Sequence, residues 1–174
     1  PTNASDDLIS LRVLLEDPFA VCKFAQHCME EDQLCFLQCW IDIMEFKSLG
    51  DQNHDDSIEL ANSLYLKYIS SELLTRELLL EYERKQINKE LNLALASTTY
   101  NLPSNLFDSF SQKCLLYMAE ELFTSFRAKS SYQTIVHTRK DPKNGYKMVR
   151  SEGMLDLCLR DSLIVYCFDL DTWM

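Results

Sequence analysis

Within the stretch Cys35-Phe-Leu-Gln-Cys-Trp-Ile-Asp-Ile-Met-Glu-Phe-Lys47, the polar residues Gln38, Asp42 and Glu45 fall at i, i+4 and i+7, one narrow stripe of an α-helix. Phe36, Leu37, Trp40, Ile41, Ile43, Met44 and Phe46 take the other faces. A helix apolar on most sides is surrounded by other helices. Charged residues close to each end make it too short to cross a bilayer. The pattern predicts the buried hub of a helical domain.

Helical patterns recur on both sides. Leu8, Leu11, Leu14 and Leu15 share one face over residues 8–16. Asp17-Pro18 supplies an N-cap and a proline at the first helical position, opening a helix with Phe19, Cys22, Phe24 and Ala25. Glu30, Glu31 and Asp32 are expected at the start of the hub helix, where negative charge suits the helix dipole. Residues 48–56 form a polar loop, with Asp55 or Asp56 capping a helix over 58–69 that carries Leu60, Ala61, Leu64, Tyr65, Tyr68 and Ile69.

Residues 72–95 read as one bent helix or two, striped by Ile87, Leu91 and Leu95. A loop over 98–104 ends in Pro103 and a capping Ser104. A long helix follows over 105–129, its seam running through Leu106, Phe107, Phe110, Cys114, Leu115, Met118, Leu122, Phe123 and Phe126. Residues 132–136 make a short final helical piece, and 138–147 a linker. In the tail, 148–174, Ser151 caps a helix through Met154, Leu155, Cys158 and Leu159. Helix and strand compete over 163–168, and the lack of a partner strand favours helix. The sum is an irregular all-α bundle of eight to nine helices. Its tail is expected to cover an apolar patch or to act as an autoinhibitory or docking element.

Composition narrows the function. Three glycines and four prolines in 174 residues leave no phosphate loop, dinucleotide fingerprint or nucleophile elbow. A net charge of −10 disfavours nucleic acid and anionic membranes, and suits a basic surface on a protein partner. Seven cysteines lack zinc-ligand spacing and read as reduced thiols of a cytoplasmic protein. His27, His54 and His137 have no triad partners, and His27 beside Cys28 reads as a packed histidine. The acidic pairs Glu30/Glu31 and Glu120/Glu121 diverge on a helix. An enzyme, a metal or a cofactor is not expected. The chain begins at Pro1 and is expected to be cut from a longer protein with further domains.

Three motifs in order carry a family resemblance. Leu11-x-x-Leu14-Leu-x-Asp17-Pro, with Phe24, resembles the opening of the regulator of G-protein signalling (RGS) homology domain. Leu37-Gln-Cys-Trp-Ile-Asp-Ile-Met-Glu-Phe-Lys47 resembles its Leu-x-Phe-Trp helix. Leu106-Phe-Asp108, Met118-Ala-Glu-Glu-Leu-Phe-Thr-Ser-Phe126 and Ser131-Tyr132 resemble its C-terminal signature. The resemblance implies a two-lobed, roughly nine-helix bundle over residues 1–137, in which Trp40 and Phe46 are core.

It also implies binding to the switch loops of a GTP-loaded Gα subunit, accelerating GTP hydrolysis without supplying a catalytic group. Gα already holds its arginine and water-orienting glutamine, so rigidifying the loops suffices. Three contact segments are implied. The first is Glu30-Glu31-Asp32-Gln33, counting forward from Phe24; counting back from Trp40 gives a position near Phe36, three residues away. The second is a loop asparagine, Asn88 or Asn92. The third is Glu121, Leu122 and Ser125, where the family commonly has Asp, Ser and Arg. Each lost charge-assisted hydrogen bond is worth about 1.5–3 kcal/mol, and Arg127 or Lys129 is the compensating candidate. The alternative is an RGS-homology scaffold that binds without stimulating. Either would act in the cytoplasm, recruited to the membrane face through its partner.

Overall fold

The computed structural model describes residues 4–49, 54–70, 74, 78–97 and 100–140. Regular structure among them is helical throughout. Helix α1 spans Ala4–Leu15, α2 Pro18–Glu30 and α3 Leu34–Leu49. Helix α4 (His54–Leu64) runs directly into a π-helical segment, Tyr65–Ser70. After α5 (Glu81–Ala96), α6 (Asp108–Tyr117) continues through a second π-helical segment, Met118–Phe123, into α7 (Thr124–Arg127). Helix α8 is Ser130–Lys140. These make seven uninterrupted helices among the described residues. Helix α8 is longer than the short piece expected at 132–136 and takes up 138–140, the first positions of the expected linker. The rest of that linker, from residue 141, and the tail 148–174 lie outside the described residues, as do positions 50–53 of the polar loop.

The chain groups into two compact units, Cys35–Leu115 and the segments on either side of it. In the central unit, α3 buries Phe36, Leu37, Cys39, Ile41, Ile43 and Phe46 on several faces, as a hub must. Its polar stripe is used: Asp42 accepts from the Tyr68 hydroxyl at 2.6 Å and from Lys67 Nζ at 3.0 Å. Two of the motif pieces meet here. The Phe46 and Phe107 rings stand edge-to-face with centroids 5.2 Å apart, and Lys47 Nζ lies 2.7 Å from Asp108. The pair of motifs in this unit is thus a packing contact with a salt bridge beside it. Cys39 and Cys114 pack with sulfurs 3.9 Å apart, and burial raises the Cys39 thiol pKa, which keeps it protonated and inert.

In the other unit, α1 packs on α2 and on the segment Met118–Phe123, and α2 packs on α8. Phe24, Phe123, Phe126 and Tyr132 form one aromatic cluster, with Phe24 and Phe126 centroids 5.3 Å apart and Tyr132 edge-on to both Phe123 and Phe126 at 5.7 Å. The first and last motif pieces assemble this core.

Several expectations are corrected. Asp17 caps α2 as expected, accepting from the Phe19 and Ala20 amides at 3.0 and 3.3 Å. Glu30, by contrast, is the last residue of α2, and Glu31 and Asp32 form the turn after it, so none of the three opens α3. Asp55 and Asp56 lie inside the first turn of α4 rather than capping it. Ser104 does not cap the long helix, because residues 104–107 form turns and α6 begins at Asp108. On α5 the buried stripe is Ile87, Leu91 and Ala94, whereas Leu95 is 60% exposed. Trp40 is half-buried rather than core.

Candidate functional site

The turn between α2 and α3 is built from its own backbone. Glu31 ends the helix near the bridge region, and Asp32 takes φ 57°, the left-handed conformation. The Asp32 amide bonds the Met29 carbonyl at 3.1 Å and the Gln33 amide the Cys28 carbonyl at 2.8 Å. That pair of bonds is a Schellman closure, which usually places glycine where Asp32 stands. The left-handed position holds the exposed Glu31 and Asp32 on a tight turn immediately before the hub helix. The forward count from Phe24 lands on this turn, whereas Phe36, from the backward count, is buried within α3.

Glu30 and Glu31 sit at a helix C-terminus, where the dipole opposes negative charge. Lys129 offsets this. Its Nζ lies 2.6 Å from Glu30 and 3.9 Å from Glu31. The hydrogen bond to Lys129 holds the Glu30 carboxyl below the usual carboxylate range.

His27 joins this turn to the segment Met118–Phe123 and α7. It is only 2% exposed, stacked on Phe126 with centroids 5.4 Å apart. Its Nε2 lies 3.0 Å from the Leu122 carbonyl and 2.9 Å from Ser125 Oγ. A carbonyl only accepts, so the neutral ring carries its proton on Nε2. The Ser125 hydroxyl also donates to the Leu122 carbonyl at 2.9 Å. Nδ1 is buried without a hydrogen-bond partner, 3.8 Å from a Glu31 carboxylate oxygen. Burial lowers the His27 pKa and outweighs the Leu122 carbonyl, Glu31 and Glu30, which raise it; Lys129 adds to the lowering.

The structure brings Glu31, Asp32, Gln33, Leu122, Ser125 and Lys129 into one unit, Leu122 and Ser125 bonded to His27 and Glu31 close to it, with Glu121 exposed beside Leu122. Leu122 is in the core, 4% exposed, with its carbonyl bonded by His27 and Ser125, which leaves it no surface to offer a partner. Arg127 is tied to the buried Asp7 carboxylate and lies over the Phe123 ring, which occupies it in packing. Asn88 and Asn92 belong to the other unit and lie mid-helix on α5, hydrogen-bonded to each other at 3.2 Å, rather than on a loop. The connection after α5 carries an exposed Asn101, which lies in the expected loop 98–104 and was not singled out in the sequence because nothing local distinguishes it from Asn88 and Asn92. His27 was read as packed, which it is. Its bonds to Leu122 and Ser125, 95 and 98 residues away in the chain, have no local sequence signal.

A family model described as Regulator of G protein signaling domain matches residues 10–135, which spans both units. The chain belongs to this family. A search of curated proteins finds no match. RGS domains are regulators of G-protein signalling, a family whose kind of partner is a G-protein α subunit. The resemblance carried by the three motifs is thereby established, and so is the all-α RGS fold. No described helix is long and apolar enough to cross a membrane.

Proposed function

We propose that this RGS domain binds the switch loops of a GTP-loaded Gα subunit and accelerates hydrolysis by favouring their transition-state arrangement. The observation that carries the reading is the Glu31-Asp32-Gln33 turn, braced by His27 against Leu122 and Ser125. A rigid, pre-shaped surface can distinguish two arrangements of a mobile partner, because adapting to both would bind both equally. The turn spends backbone strain at Asp32, which is common where a loop must be held for a partner. The exposed carboxylates Glu30, Glu31, Asp32, Glu120 and Glu121 suit basic groups on that partner. The action is at the cytoplasmic membrane face, where the partner sits.

A second reading is a scaffold that binds without stimulating. It is favoured by Ser125 standing where an arginine is usual and by Arg127 being held on Asp7. Single-turnover GTP hydrolysis on a panel of Gα subunits separates the two. The accelerating reading expects a rate increase with at least one subunit, lost in Asp32→Lys. Binding with no rate change supports the scaffold.

A further inference from the structure

The His27 ring has one nitrogen fully engaged and one left over. Nε2 is held by the Leu122 carbonyl and Ser125. Nδ1 is buried, unbonded, and faces Glu31 across 3.8 Å. Resting on the reading above, we propose that His27 is a positioning residue whose protonation draws Glu31 inward from the contact turn, making partner engagement proton-dependent.

The geometry sets the direction. A neutral Nδ1 is an acceptor and offers a carboxylate nothing, so Glu31 stays half-exposed and available to a partner. A protonated Nδ1 is a donor and a cation, and a carboxylate a fraction of an ångström beyond hydrogen-bond distance closes on it. The Nε2 bond survives protonation unchanged, because Nε2 donates in both forms. The ring stays in place while Glu31 moves, which distinguishes a switch from general unfolding.

The charged groups acting on the ring are Glu30 at the end of its own helix, Glu31 in the turn that follows and Lys129 from the turn before α8. Lys129 bonds Glu30 at 2.6 Å, so it competes only weakly for Glu31 at 3.9 Å. Phe24 and Phe126 flank the ring. Helix α7 brings Ser125, which is uncharged, and Arg127, which is tied to Asp7 of α1. Glu120 and Glu121 in the neighbouring π-helical segment are exposed. Glu31 is therefore the carboxylate placed to answer the proton.

The test has two arms on the 174-residue chain. In the first, NMR follows the His27 ring and the Glu31 and Asp32 amides through a pH titration. Wild type is expected to show the ring and both amides titrating together, and Glu31→Gln to move the His27 midpoint further down. An unchanged midpoint in Glu31→Gln overturns the proposal, whatever any Gα does. In the second arm, binding to Gα loaded with GDP and aluminium fluoride is compared at one pH above and one pH below the His27 midpoint found in the first arm. Wild type is expected to lose affinity several-fold more than His27→Gln, whose amide keeps the donor to Leu122 but does not titrate. Equal losses overturn the regulatory step. Coupled NMR shifts with no Gα binding at either pH uphold the Glu31 movement and count against the Gα reading instead.

Discussion

His27 shows how one buried residue couples packing to pH. Its folded-state pKa is lowered from 6.5 by burial, so the folded chain takes up a proton less readily than the unfolded one. Between the two values the unfolded state binds more protons, and stability rises with pH. The contribution is complete above about pH 6.5, declines as pH falls below it, and levels off once folded His27 is protonated. Urea melts at stepped pH should show this slope in wild type and its absence in His27→Gln. Asp32 makes a second residue-scale case. Relief of its left-handed strain in Asp32→Gly should raise stability by about 0.5–1 kcal/mol in the same melts. If Asp32 is also a contact, that variant binds Gα more weakly while being more stable. Arg127 is the reverse. Arg127→Met strands the Asp7 carboxylate, only 7% exposed, and should destabilise by about 3 kcal/mol. Adding Asp7→Leu should recover most of that.

At the scale of elements, what the sequence revealed and what it hid have different physical origins. Helix starts with side-chain chemistry were readable: Asp17-Pro18 does at α2 what its residue types promise. The hub α3 was readable because apolar residues on nearly every face leave few other options. The end of α2 was misread. Acids before a helix resemble an N-terminal turn, and here they follow a helix end closed by backbone bonds, with aspartate where glycine usually stands. The π-helical segments Tyr65–Ser70 and Met118–Phe123 were invisible, since apolar spacing of three and four fits an ordinary helix equally well. Of the candidate site, the turn at residues 31–33 is where the count forward from Phe24 leads. Its brace could not, because His27 meets Leu122 and Ser125 only through the tertiary fold. The Phe46–Phe107 and Lys47–Asp108 contacts allow a test between elements. Phe46→Ala should cost about 3–5 kcal/mol. Lys47→Ala should cost less than about 1 kcal/mol, because both its charge and that of Asp108 are substantially exposed. Equal losses from the two would contradict the view that the motif is held by its rings.

For the molecule as a whole, the motifs that place the chain in its family are largely core contacts, Phe46 with Phe107 in one unit and Phe24 with Phe126 in the other, and the second of these joins α2, which leads into the turn, to α7. Those core contacts account for the framework, while Glu30, Glu31 and Asp32 are exposed on its surface and His27 is buried beneath them. A net charge of −10 gives that surface long-range attraction for a basic partner. Whether the attraction serves catalysis depends on discrimination among partner states. The most direct measurement is the affinity for a panel of Gα subunits, each in the GDP, GDP–aluminium fluoride and non-hydrolysable GTP-analogue states. Selection of the transition-state loops predicts tightest binding with aluminium fluoride for at least one subunit. Equal affinity across the three states, or none in any, would contradict it.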